Sequence, residues 1–185
     1  MRGLRSGYSL IEALIVVTVL AILMLIAIPN YQNAQIRTKV SRSRVDLRTL
    51  CQAVQSYDVD NQSLPPAKEL GIRFIDPRFL TSPVTYLPTV PEDIFFSRQT
   101  LLTRQGAIAL TYPVAAQYGY YALSPVHARI LGQDLSFILA GRGPDMKIEF
   151  GYLLVEYDPS NGIRSRGDLI IGGPGNKTGI FDSIQ

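Results

Sequence analysis

Few residues of this 185-residue chain are placed to do chemistry. Its one histidine, His127, stands in "SPVHARI", so a histidine-based metal cluster is excluded. A Ser-His-Asp arrangement would have to use that residue, and no nucleophile motif such as GxSxG accompanies it. "GGPGNKTG" lacks the phosphate-loop spacing and reads as a turn after a short strand. Cys51, the single cysteine, cannot form an internal disulfide, and its place beside an apolar helix face makes it a small core residue. These exclusions point away from an enzyme. The residue that asks for an explanation is Glu12, a carboxylate inside "YSLIEALIVVTVLAILMLIAIP".

That stretch has the dimensions of a membrane anchor. Tyr8 to Ile28 is 21 residues, and at 1.5 Å per residue such a helix spans about 31 Å, the hydrocarbon thickness of a bilayer. Thirteen Leu, Ile and Val lie between Leu10 and Ile28. Together they favour insertion by on the order of −6 kcal/mol, against about +3 kcal/mol for a charge at mid-bilayer and less near the end, where Glu12 sits. A cleaved secretory signal would need a shorter apolar run and a small-x-small site. Here Pro29, Asn30, Tyr31 and Gln32 follow instead.

A carboxylate in an apolar helix needs a partner or becomes protonated. No Lys or Arg lies within a turn of Glu12 on its C-terminal side, and Arg5 is seven residues back. The nearest cation is one that does not yet exist, the amine created by cutting the chain before Tyr8. Within one helix that amine and Glu12 are about one turn apart. Between two staggered helices they can meet across the interface, which would make the acid an assembly device.

Beyond the anchor, Pro29 removes a backbone donor and crowds the carbonyl of Leu25, which predicts local loosening or a kink. Ile36, Val40, Leu47, Leu50, Val54 and Tyr57 then recur on one helical face. One helix from about Tyr8 to about Asp60 is expected, its second half packed under a globular head. Arg37, Lys39, Arg42, Arg44 and Arg48 lie mostly off that face. They read as a solvated surface or as a contact with acidic neighbours or lipid headgroups. "DNQSLPPAKELG" ends the helix, and the proline-rich chain up to about Pro113 reads as a long loop with short elements laid over it. "AQYGYYAL", "LSFILAG", "FGYLLVEYD" and "GDLIIGG" have strand character, and "DPSNG" is consistent with a hairpin between the last two. The expected class is α+β, a long N-terminal helix against a small antiparallel sheet. Formal charge is +3, and removing the segment before Tyr8 leaves 16 Lys and Arg against 15 Asp and Glu, a balance that gives no support to nucleic-acid binding.

The N-terminus resembles that of type IV pilin and pseudopilin precursors. The likeness rests on a short basic leader ending in Gly7, an aromatic Tyr8, Glu12 at the fifth position after Gly7 and Pro29 at the twenty-second. It implies the type IV pilin-like fold and this division: leader 1–7, transmembrane and assembly helix 8–28, amphipathic continuation 29–61, periplasmic head 62–185. It also implies cleavage after Gly7 by a prepilin peptidase, N-methylation of Tyr8, and pairing of Glu12 with the amine of a neighbouring subunit. The expected location is the bacterial inner membrane, single-pass, with the N-terminus cytoplasmic. Arg2 and Arg5 on one side face Arg37, Lys39, Arg42 and Arg44 on the other, so the positive-inside rule alone leaves orientation open or reverses it; the cleavage motif requires the cytoplasmic N-terminus.

"AVQSYDVDNQSLPP" is similar to the helix exit of major, G-type pseudopilins of type II secretion, with Gln62 where those have glycine and Leu64 where they have tyrosine. "GRGPDMK" and "RGDLI" resemble their calcium-binding segments, which would make Asp145 and Asp168 calcium ligands. A compact acidic loop is replaced here by 22 intervening residues. The resemblance implies a structural subunit polymerised into a periplasmic filament, with prepilin peptidase, an inner-membrane assembly platform, an assembly ATPase, other pseudopilins, and membrane lipid before assembly as partners. A type IV or competence pilus subunit is the alternative within the class. A membrane-anchored periplasmic binding domain is the alternative outside it.

Overall fold

The computed structural model describes residues 9–69, 73–76, 78–96, 117–124, 134–147 and 155–179. Its first element is the 52-residue helix α1 (Leu10–Asn61), assigned without a break through Pro29. Ser9, in extended conformation, precedes the first turn, and its backbone N–H donates to Glu12 Oε2 at 2.8 Å. This is one half of a capping box, satisfying a donor that a helix start otherwise leaves open. The helix stops at Gln62, which takes the left-handed conformation (φ 50°), before Pro65 and Pro66 exclude its continuation.

The two halves of α1 differ in what covers them. Residues 9–32 are all exposed. From Val40 onward one face is buried: Val40, Ser43, Leu47, Leu50, Cys51, Ala53 and Val54, flanked by half-buried Ile36 and Tyr57. The apolar periodicity therefore marks the packed face, and Cys51 is fully buried, its thiol pushed up in pKa chiefly by burial.

What packs there is a three-stranded antiparallel sheet. Strands β3 (Gly119–Ala122), β4 (Phe137–Gly141) and β5 (Leu169–Gly173) lie in the order β3-β4-β5, with Tyr120 opposite Leu139 and Leu139 opposite Ile171; a hairpin, β1 (Ala67–Glu69) with β2 (Arg73–Ile75), comes before them in the chain. Side chains alternate between the two faces of a strand. Tyr120, Phe137, Leu139, Leu169 and Ile171 join the core against α1. Ile138, Ala140 and Ile170 form a second cluster with Leu135. Gly141 is needed for this packing, because a Cβ there would lie 2.6 Å from the Tyr118 ring. Tyr118 crosses to the helix, its hydroxyl 3.2 Å from Ser43 Oγ and 3.4 Å from Asp46. Short elements lie over the helix end as expected. The turn-length helix α2 (Arg78–Thr81) buries Leu80, and Phe79 and Tyr86 meet Tyr57 edge-on.

Three of the four expected strands are present. Most of "FGYLLVEYD" lies outside the described residues, and its end does not form the expected hairpin with β5. Glu156 instead bridges Asp168 in parallel, with Asp168 N–H donating to Val155 C=O and Tyr157 N–H to Asp168 C=O, each at 2.9 Å. The "DPSNG" turn exists, a 3-10 turn over Pro159–Asn161 whose Ser160 N–H is capped by Asp158 at 2.8 Å. A second turn closes behind it, with Ser165 N–H on Gly162 C=O and Gly167 at φ 124°. Two reversals return the chain in its original direction, so pairing is parallel.

Candidate functional site

The most unusual surface of the molecule is the membrane-length half of α1. Leu10 is 86% exposed and Leu25 75% exposed, and the apolar side chains between them point into open space all around the helix. Such a surface is stable only in lipid or against other helices. Glu12 stands one turn from the N-terminal end of this surface, with its carboxylate turned back onto Ser9 N–H. The acid is therefore held in place within the single chain, at the end of the helix where the macrodipole also favours negative charge. Gly7 and Tyr8 lie outside the described residues. Pro29 sits at the C-terminal end of the apolar run, in the last exposed turns before the head begins to cover the helix.

Sequence pairs the head residues Asp145 and Asp168 only by likeness, and the structure brings their segments together. The carbonyl of Gly167 lies against Gly143, two residues before Asp145. The carboxylates themselves do different work. Asp145 Oδ1 accepts the Lys147 N–H at 3.2 Å within a turn, while Asp168 is 1% exposed at the start of β5. Among the described residues no group of three or more His, Cys, Asp or Glu side chains is arranged to hold a metal. Calcium takes six to eight oxygens with several carboxylates converging, more than Asp145 and Asp168 supply by themselves.

Two features of the head escape any reading of the sequence. Asp93 and Arg142 form a buried ion pair at 3.1 Å, their side chains 1% and 6% exposed. The pair ties the loop before residue 96 to the end of β4; Asp93 also accepts the Arg142 and Phe95 backbone N–H groups, and the guanidinium lies over the Phe96 ring. Burial outweighs the attraction of Arg142 and keeps the Asp93 carboxyl above its ordinary range. The second feature is a groove of about 340 Å³ between α1 and residues 156–159, flanked by Arg44 and Arg48. In sequence both sites consist of unremarkable charged residues far apart, and no motif signals them.

Comparison with known proteins places these features. Residues 2–28 match the prokaryotic N-terminal methylation motif. The type IV major fimbrial protein FimA of Dichelobacter nodosus is 32% identical over 116 residues, covering 63% of this chain and 67% of that protein. The type II secretion system core protein G of Pseudomonas aeruginosa is 29% identical over 68 residues, 37% of this chain and 48% of its own. The type IV major pilin protein PilA of Myxococcus xanthus is 43% identical over 53 residues, 29% of this chain and 24% of its own. No solved structure shows significant similarity. The chain thus spans two thirds of the first of these relatives and less than half of the other two. An alignment of 116 residues is longer than all of the chain up to Asn61, so the FimA likeness takes in part of the head. With the processing motif, the exposed apolar helix and the helix-on-sheet head in agreement, this chain belongs to the type IV pilin-like family, which includes the pseudopilins.

Proposed function

We propose that the protein is a structural subunit held in the bacterial inner membrane by the first half of α1 and polymerised into a filament through that same surface. The observation that carries this reading is an uncovered apolar helix with one carboxylate, Glu12, at its N-terminal end. Prepilin peptidase cuts after Gly7 on the cytoplasmic side and the new amine on Tyr8 is methylated, leaving the head in the periplasm. Glu12 then exchanges the Ser9 N–H for the Tyr8 amine of a neighbour. A charge-assisted bond is roughly twice as strong as one to a neutral donor, and in a water-poor helix bundle it sets the axial stagger. Lipid contacts are replaced by helix contacts of similar apolarity, so the acid supplies register more than bulk affinity. Pro29 gives the helix the freedom to adjust where membrane and head halves meet.

Within this class we propose a pseudopilus of type II secretion, on the likeness of the helix exit "SYDVDNQSLPP" and the match to core protein G. The second reading, a type IV pilus subunit, is favoured by the longer match to FimA. Intact mass and N-terminal sequencing of the chain recovered from membranes test the common part. A start at N-methyl-Tyr8 is expected; an uncut start in cells with active peptidase overturns it. Deleting the gene separates the two systems. Loss of secreted proteins from the medium with surface fibres unchanged supports the pseudopilus, and loss of fibres with secretion intact supports the pilus.

A further inference from the structure

The apolar run of α1 gives way to charge in two steps. Residues 29–35, "PNYQNAQ", carry no charge, and Tyr31 stands 66% exposed among them. A tyrosine at the end of a membrane-length run sits at headgroup level, where its ring and its hydroxyl are both accommodated. Arg37, Lys39, Arg42 and Arg44 follow, and between Glu12 and Asp46 the helix holds no acid. All four bases are exposed. Arg42 has Asp46 as a distant partner at 4.0 Å, and among the described residues Arg37, Lys39 and Arg44 take part in no ion pair.

Depth separates these bases. The helix runs unbroken through Pro29, so each residue adds about 1.5 Å of height. With Ile28 as the last residue in hydrocarbon, Arg37 lies about 13 Å above the hydrocarbon edge and Lys39 about 16 Å. Helical side chains lean back toward the N-terminus, here toward the membrane, by about one 5 Å turn. The charged groups then stand about 8 and 11 Å above the edge. Headgroups fill about the first 5–7 Å, and the field of an anionic surface reaches a further Debye length, about 8 Å. Arg37 and Lys39 are inside that layer. Arg48, exposed and within about 20° of Arg37 around the helix, is about 25 Å up and outside it. At about 100° per residue Arg37 and Lys39 lie on opposite sides of α1.

We propose that Arg37 and Lys39 bind anionic phospholipid headgroups of the leaflet on the head side, one on either flank of α1. This rests on the proposed membrane anchoring by the first half of that helix. A guanidinium donates to a phosphate through two N–H groups at once, and an ammonium acts on it as a point charge. Each base favours an anionic over a zwitterionic surface by on the order of fivefold. The contact holds the membrane form of the subunit, and leaving lipid for a filament requires giving it up. It also gives a use to bases that the positive-inside rule would place across the bilayer.

The test is electron paramagnetic resonance of the full chain in phosphatidylcholine vesicles carrying a trace of spin-labelled phosphatidylglycerol or spin-labelled phosphatidylcholine. Lipid touching the protein is motionally restricted, and the ratio of restricted signal from the two probes reads selectivity. Arg2 and Arg5 also attract the anionic probe, so the readout is the difference between variants. Arg37→Gln with Lys39→Gln is expected to lower the ratio about twofold, the two favoured sites being averaged with the rest of the lipid shell. Arg48→Gln is expected to leave it unchanged, and added salt to shrink the difference. Equal selectivity in the unaltered chain and the double variant overturns the proposal. So does an equal loss in Arg48→Gln, which would report net charge. A loss seen only at high protein-to-lipid ratio also overturns it and would assign the bases to an acidic surface of a second copy. No restricted signal from either probe overturns the membrane anchoring itself, and the proposal with it.

Discussion

Replacing Asp93 by Asn removes a charge while keeping the side chain's size and an oxygen for the Phe95 N–H, 2.9 Å away. It leaves the Arg142 guanidinium, 6% exposed, with no carboxylate at 3.1 Å. Breaking a buried pair from one side costs about 3–5 kcal/mol, because the remaining charge keeps its desolvation cost and loses the attraction that offset it. That is a large share of the 5–15 kcal/mol typical of a domain, and at about 2–4 °C per kcal/mol it lowers Tm by on the order of 10 °C. Arg142→Met strands Asp93 instead, which can take up a proton. Burial already raises that carboxyl above its ordinary 3.8 despite Arg142, so the folded state binds the proton more tightly than the unfolded one. Its stabilising contribution is complete below 3.8 and is lost as pH rises through the raised pKa. The cost of Arg142→Met should therefore shrink on acidification, whereas Asp93→Asn should flatten the pH profile in that window. The double variant D93N/R142M should recover most of the loss, since apolar replacement of a buried pair is close to neutral. The assay is urea unfolding of the full chain in detergent, read by near-ultraviolet dichroism of the buried Tyr118 and Tyr120, which the detergent-held helix does not mask. A D93N cost below about 1 kcal/mol, or a double variant costing the sum of the singles, would refute the reasoning.

Leu50→Ala should cost the head about 2–5 kcal/mol in the same assay, because Leu50 is 2% exposed at the helix–sheet contact. Leu20→Ala, on the 48% exposed side chain of the apolar half, should leave head stability unchanged and reduce the yield of sheared filaments. Gly141→Ala should cost about 1–3 kcal/mol, since the new Cβ meets the Tyr118 ring at 2.6 Å and must displace it; an unchanged urea midpoint would show that the ring moves freely. Tyr118→Phe should lose about 1 kcal/mol with the hydroxyl contact to Ser43. Glu12→Gln should change the amount of processed subunit in membranes little, yet abolish filaments; normal filament recovery would remove the acid from assembly.

Local rules acting along the chain make much of this protein legible in its amino-acid order. An unbroken apolar run declares a membrane-length helix, helical spacing declares the face from Ile36 to Tyr57, and short runs of β-forming residues declare β3, β4 and β5. Glu12 stands out because a charge in such a run has no local explanation. Ser43 on the buried face carries no such signal, as a polar residue is accepted there only because Tyr118 arrives from 75 positions away. The parallel return of residues 155–157 beside Asp168 is equally silent, because a turn motif reports one reversal and the chain makes two. The Asp93–Arg142 pair and the groove between Arg48 and Tyr157 join residues whose separations carry no period. Periodicity and composition encode which face of an element is apolar, since that follows from the element's own geometry. Which charges end up buried together, and where the surface is left hollow, depends on how loops close in space, and only the tertiary structure decides it.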